Sequence, residues 1–177
     1  MGKPSDYFGF GSGAKIAISV SDKKRFIYGM NMNIYSNKLK QNLPINTTKE
    51  QFMAPSTILI GVTFGRWINK INIQTEITIA AQNITEKINE NDTDWVKLKG
   101  WSPGIVVNYP FAISKERPYY YTGPPSLVSL NLNLHIGLRY MSFSIPESSG
   151  LMVEAGLGFR ISNSYVSDYK LKDRLRL

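Results

Sequence analysis

Residues 129–140, SLNLNLHIGLRY, alternate strictly between apolar and polar side chains. Successive side chains of a β-strand point to opposite faces, so this stretch predicts a strand with an apolar medium on one side and a polar medium on the other. The apolar set is Leu130, Leu132, Leu134, Ile136, Leu138 and Tyr140, and the polar set is Asn131, Asn133, His135, Gly137 and Arg139.

The same alternation recurs along most of the chain, and no helical pattern is present to cover the apolar faces. Turn residues at Ser102-Pro103-Gly104 divide one long segment into two predicted strands. The sequence therefore predicts an all-β fold of about eight strands. They are 8–20, 26–35, 57–67, 71–80, 95–101, 105–112, 129–140 and 151–161.

Length and composition exclude several classes of protein. The chain has 177 residues, a net charge of +8 and no cysteine, which predicts one domain over 1–177 and excludes disulfides and thiolate metal sites. No apolar run reaches the roughly 18 residues of a membrane-spanning helix, and the start, MGKPSDYFGFG, lacks the apolar core of a signal peptide. If the protein is exported, we expect its signal to have been removed.

The positive charge favours anionic surfaces, but the basic residues form no recognised nucleic-acid module, so no nucleic-acid partner is expected.

Short turns and long polar loops are predicted to alternate between the strands. The long loops lie at about 37–56, 82–94 and 113–126. This combination resembles bacterial outer-membrane β-barrels, in particular the small OmpA-like or porin-like class. The resemblance implies an antiparallel up-and-down transmembrane barrel of about eight strands in the outer membrane of a Gram-negative bacterium. Two alternatives are a barrel of ten strands and a larger barrel of which this chain forms a part.

Aromatic residues lie mostly near the predicted strand ends, where outer-membrane barrels carry interfacial girdles. The resemblance to outer-membrane barrels implies that outer-membrane lipid and lipopolysaccharide surround the protein. Other membrane or periplasmic subunits are further candidate partners. The aromatic residues are Phe26, Tyr28, Phe64, Trp67, Trp95, Trp101, Tyr109, Phe111, Tyr140, Phe143 and Tyr165.

The two chain ends are predicted to lie on the same side of this barrel. Barrels of the resembled class keep both ends in the periplasm, whereas the predicted turns and loops place both outside. A missing strand at each end would resolve the conflict, with 169–177 as the start of the last one.

Charged and amide side chains on the polar faces form the candidate site. Charges that are taken out of water must be paired, so we expect these residues to form a network in the lumen. Such a network plugs a narrow barrel and lines the passage of a wider one. Its members are Lys15, Glu76, Asn131, Asn133, His135, Arg139, Glu154 and Arg160.

No catalytic, cofactor or metal site is predicted. His135 is the only histidine, and its same-face neighbours on the strand project parallel to it and do not converge on it. Residues 33–37, NIYSN, are similar to the His-x-Ser-Asn segment of lipid A deacylase barrels. Ser36 and Asn37 match that segment, but Ile34 stands at the position of its histidine.

Three functions follow from these patterns. The first is a non-enzymatic outer-membrane barrel that acts as a small channel, a surface-binding protein or a membrane subunit of a larger assembly. The second is a soluble lipocalin-like barrel, with the apolar faces inside around an apolar ligand. The uniformly bulky apolar faces leave little room for such a ligand. The third is an enzyme that modifies lipid A.

Overall fold

The computed structural model describes residues 7–21, 24–40, 43, 55–89, 92–112, 117–119 and 126–165, and the fold is all-β. Seven long strands and the three-residue strand β6 form one antiparallel sheet. The strands are β1 (Phe8–Ser21), β2 (Phe26–Leu39), β3 (Ser56–Ile68), β4 (Ile71–Asn89), β5 (Asp92–Ala112), β6 (Arg117–Tyr119), β7 (Ser126–Phe143) and β8 (Gly150–Tyr165).

Neighbours along the chain are neighbours in the sheet, apart from β6. Strands β1 to β5 follow in order, β7 lies beside β5, and β8 pairs with the other side of β7. Strand β6 pairs with the first residues of β7. We call the two ends of the sheet the Leu39 end, where β2 finishes, and the Ser21 end, where β1 finishes.

The β3–β4 hairpin closes with a two-residue turn. Ile68 lies opposite Ile71, and the turn residues are Asn69 and Lys70. Asn69 has a φ of 55°, which is a left-handed conformation that asparagine tolerates better than most residues. The sequence therefore suits the turn that reverses the chain here.

Strand β5 is continuous, so the predicted turn at 102–104 is wrong. Pro103 lies opposite Ile77 in an unbroken register with β4. On the β7 side the pairing skips Ser102 and Pro103 and resumes at Gly104 with no change of register. Because proline lacks only an N–H donor, it interrupts a ladder on one side without ending the strand.

The loop predicted at 82–94 is also wrong, because residues 82–89 belong to β4 and residues 92–94 belong to β5. Glu86 lies opposite Asp94, and Asn89 lies opposite Asp92. Backbone hydrogen bonds hold a hairpin whether or not its side chains are apolar, so a polar composition does not end a strand. Most of the loops predicted at 37–56 and 113–126 lies outside the described residues, although the first overlaps β2 and the second contains β6.

These corrections change the arrangement of the connections. The long connections at 40–55 and 113–125 lie at opposite ends of the sheet, because β3, β4 and β5 intervene between them as an odd number of strands. For the same reason β1 starts at the Leu39 end and β8 finishes at the Ser21 end. The predicted placement of both chain ends on one side is therefore wrong for the described strands.

The sheet curls into an open, barrel-like form with its polar face inside. Side chains from strands far apart in the sheet meet on this face, as Lys15 of β1 does with Glu76 of β4. Polar groups on the concave side are buried, whereas the apolar residues of the convex side are exposed. This matches the separation of faces that the alternation predicts.

An apolar cluster fills the concave side at the Leu39 end. Phe143 belongs to it, so its assignment to an outer aromatic girdle is wrong. The girdle assignment is also wrong for Trp67, because this residue lies on the concave face, where its indole N–H donates to the Ser21 hydroxyl at 3.2 Å. The buried members of the apolar cluster are Leu39, Leu43, Leu59, Ala80, Ile84, Leu98, Met141 and Phe143.

Candidate functional site

Five side chains from five strands meet at the middle of the concave side. We call them the charged cluster. The strands β1, β2, β4, β7 and β8 each supply one member, so the cluster connects both edges of the sheet to its centre. The members are Lys15, Tyr35, Glu76, Arg139 and Glu154.

Glu76 is the acidic centre of the charged cluster. Its Oε1 lies 2.5 Å from Lys15 Nζ, and its Oε2 accepts a hydrogen bond from Arg139 Nη2 at 2.7 Å. Glu76 is 0% exposed and Arg139 is 1% exposed. A buried carboxylate is stable only when it is paired and hydrogen-bonded, and here each oxygen has its own cation.

Glu154 takes the other side of the Arg139 guanidinium. Arg139 Nε donates to Oε2 at 3.3 Å, and Arg139 Nη2 donates to Oε1 at 3.2 Å. The Tyr35 hydroxyl also donates to Glu154 Oε2. Two cations and two carboxylates therefore balance in charge, and the forked guanidinium holds β7 against both β4 and β8.

Glycines beside the charged cluster provide the space that it occupies. Gly104 lies between Glu76 and Arg139 in the sheet, and a Cβ on it would lie 2.9 Å from the Arg139 Cβ. Gly137 is opposite Glu154, and a Cβ there would lie 2.6 Å from Glu154 Oε1. These contacts explain small residues on a polar strand face, because a larger side chain would displace the ion pairs.

Between the charged cluster and the Ser21 end lies a layer of amide side chains. Asn133 Nδ2 donates to Asn108 Oδ1 at 3.1 Å, and both residues face the concave side with His135. The amides of Asn31 and Asn33 are buried without a partner among the described side chains. Buried amides of this kind bind ordered water, so this part of the interior is suited to hydration.

A cleft of 1820 Å³ opens between the two edges of the sheet. Strand β1 forms one wall and β8 forms the other, and the cleft reaches inward to His135, Asn133 and Glu154. The His135 ring lies over Gly156, where a Cβ would come 2.5 Å from His135 Cε1. The interior is thus accessible from the side, between β1 and β8.

The structure brings together some of the residues predicted for the polar network. Lys15, Glu76, Arg139 and Glu154 are joined by ion pairs, while Asn133 and His135 belong to the amide layer. Asn131 lies opposite Arg160 in the β7–β8 ladder, and the side chain of Arg160 is outside the described set.

Tyr35 is the member of the charged cluster that sequence reasoning missed. It lies on the polar face of β2, two residues after Asn33, which is the signal that could have identified it. A tyrosine near a strand end also fits an interfacial girdle, so the pattern alone does not distinguish the two positions.

Ser36 and His135 lie on opposite faces of the sheet. Ser36 has the same parity on β2 as the exposed residues Tyr28 and Ile34, so it belongs to the convex face, whereas His135 lies on the concave face. Within the described residues, no three His, Asp or Glu side chains are grouped to hold a metal ion.

Comparison with known proteins identified no relative. The chain matches no family model, no curated protein and no solved structure. In the part of the chain that the structure describes, no helix has the length and apolar character needed to cross a membrane.

Proposed function

We propose that this chain is a non-enzymatic β-barrel protein of a Gram-negative outer membrane, with lipid against its convex face and a filled interior. The observation that carries the proposal is the inverted burial of the sheet. The ionic side chains Glu76 and Arg139 are almost fully buried, while Ile79 is 71% exposed and Phe159 is 77% exposed. Such inversion is the arrangement that a membrane-spanning barrel requires.

The apolar convex surface is too extensive for a free surface in water. It includes exposed isoleucine, leucine, valine or phenylalanine side chains on every long strand. Full burial of one such side chain contributes about 1.5 to 3 kcal/mol, so covering this face with lipid is strongly favourable. A soluble lipocalin-like barrel needs the opposite arrangement, with the apolar faces inside.

The filled interior favours a surface-binding protein or a membrane subunit over an open channel. The charged cluster crosses the middle of the concave side, and the apolar cluster fills the Leu39 end. Small barrels typically have interiors that side chains fill in this way. The charged cluster therefore acts as a plug in this proposal.

Exposed cations near both ends of the sheet support contact with anionic lipid. Arg66 and Lys70 lie toward the Ser21 end, and Lys97 and Lys99 lie toward the Leu39 end. Juxtamembrane lysine and arginine residues are attracted to lipid phosphates, which lipopolysaccharide and phospholipid both carry. Lipid is thus the first partner we propose, and other membrane or periplasmic subunits are the second.

The facing of β7 tests the proposal directly. The chain has no cysteine, so single cysteines can be placed at Leu134 on the convex face and at Asn133, which lines the cleft. In intact outer membranes, a water-soluble maleimide should label the Asn133→Cys variant and spare the Leu134→Cys variant. After denaturation both should label fully. Equal labelling in membranes, or recovery of the protein in the soluble fraction, would overturn the proposal.

A further inference from the structure

The convex face changes from polar to apolar between two neighbouring rows of side chains at the Leu39 end. Each row consists of residues that lie opposite one another on β2, β3, β4 and β5. The first row is Ser36, Ser56, Asn83 and Lys97, the second is Ile34, Ile58, Ala81 and Lys99, and the third is Met32, Ile60, Ile79 and Trp101. Lys99 therefore lies one row inside the apolar band.

A groove of 400 Å³ lies on the convex face beside Lys99. Ala81 leaves space there, because its methyl group is much smaller than the isoleucine side chains around it. The other residues that line the groove are Ile58, Ile60, Ile79, Ala80 and Gly100. Its volume is within the range of about 300 to 1,000 Å³ that is common for ligand pockets, and its lining is mostly hydrocarbon. The groove is thus suited to a hydrocarbon chain.

Lys97 and Lys99 place two positive charges at the rim of the groove. Both side chains are exposed, and their partners across the ladder, Asn83 and Ala81, are uncharged. Among the described side chains, neither lysine forms an ion pair, and this includes Glu147 in the turn after β7. Two residues of a strand span about 7 Å, which a lysine side chain can cover, so the Lys99 ammonium group can reach the polar row while its methylene groups lie on the apolar band.

We propose that this groove binds an acyl chain of an anionic lipid, with the lipid phosphate between the ammonium groups of Lys97 and Lys99. The hydrocarbon lining and the two cations at its rim are complementary to these two parts of the lipid. The inference rests on the proposed function, because a lipid-facing convex side is what brings lipid to the groove. A zwitterionic lipid has the same chains without the net negative charge, so it should bind here more weakly.

Fluorescence quenching in detergent tests this lipid site. Trp101 lies opposite Ile79 at the groove, and the substitutions Trp67→Phe and Trp95→Phe leave it as the only tryptophan of the chain. Phosphatidylglycerol with brominated acyl chains, added to the folded protein in nonionic detergent, should quench Trp101 with a saturable dependence on lipid. Brominated phosphatidylcholine should need a concentration at least about fivefold higher, since one lysine strengthens binding to an anionic lipid by about that factor.

Matched variants separate the two parts of the lipid site. Lys99→Gln should weaken quenching by phosphatidylglycerol about fivefold and leave phosphatidylcholine unchanged, whereas Lys99→Arg keeps the charge and should retain the preference. Ala81→Phe fills the groove and should weaken quenching by both lipids. Lys70→Gln removes an exposed lysine beyond the other end of β4 and is the control, which should change neither. Circular dichroism checks that each variant is folded.

Three results would overturn the lipid site. Equal quenching by the two lipids would show that the lysines select no anionic head group. Equal effects of Lys70→Gln and Lys99→Gln would show that net charge alone attracts the lipid. Dimers that Ala81→Phe abolishes would show that a second copy of the chain covers the groove. If maleimide labelling supports the facing of β7 and the quenching test fails, the lipid site alone is wrong, because the quenching is measured in detergent.

Discussion

Arg139 Nη2 donates to Glu76 Oε2 at 2.7 Å across the concave side of the sheet, although the two residues are 63 positions apart. Strand β5 separates their strands, and Gly104 between them allows the side chains to meet. Both side chains are fully withdrawn from solvent. Removal of one partner would leave the other as a buried charge without its ion pair. The pair therefore affects stability mainly through the cost of that unpaired charge.

The first prediction concerns Glu76→Gln. Glutamine keeps the size of the side chain but removes its charge, which leaves Lys15 and Arg139 with one carboxylate in place of two. Breaking a buried ion pair on one side costs about 3 to 5 kcal/mol, so the free energy of unfolding should fall by about that much. Urea unfolding of detergent-refolded protein, followed by tryptophan fluorescence, measures the change. Glu147→Gln, outside the charged cluster, is the control and should change the free energy by less than about 0.5 kcal/mol.

The second prediction concerns the space beside Glu154. A methyl group in Gly137→Ala would lie 2.6 Å from Glu154 Oε1 and push the carboxylate away from Arg139. Overpacking of this kind costs about 1 to 3 kcal/mol. Gly158→Ala, where the same methyl meets no atom within 4 Å, is the matched control. Equal urea midpoints for the two variants would contradict this account of the glycine.

The third prediction concerns charge on the convex face of β7. Arginine at a lipid-facing position near the bilayer midplane costs about 2 to 4 kcal/mol, so Leu134→Arg should lower the fraction of protein inserted in the outer membrane. Asn133→Arg, on the concave face, loses the hydrogen bond to Asn108, worth about 1 kcal/mol, and should insert far better. Membrane fractionation compares the two, and equal insertion would show that the facing is wrong.

The fourth prediction is that His135 has a structural role. A neutral imidazole can donate from one nitrogen and accept at the other, and glutamine offers a donor and an acceptor as well. His135→Gln should therefore fold, insert and leave the lipid A of expressing cells unchanged by mass spectrometry. Suppose instead that the wild type changes the acyl chains of lipid A and His135→Gln inserts but does not. The protein would then be an enzyme, and the proposed non-enzymatic function would be wrong.

For the polar network, the sequence predicts the face on which each side chain lies but not the contacts between them. Strand parity places Glu76, Arg139 and Glu154 on one face, because side chains alternate with a period of two. It does not show that these three residues touch, since their contacts depend on the order and curl of the strands. Tyr35 was missed for this reason, as its partner Glu154 lies 119 positions away on β8.

The sequence by itself determined which side chains share a face and that the two faces need different surroundings. Only the tertiary structure decided that β5 runs through Pro103, because the ladder to β4 compensates locally for the missing N–H. It also decided that residues 82–89 and 92–94 belong to paired strands, since backbone pairing extends a strand regardless of polarity. Local patterns encode the facing of a strand, whereas the length, partners and direction of each strand depend on backbone hydrogen bonds between residues distant in the chain.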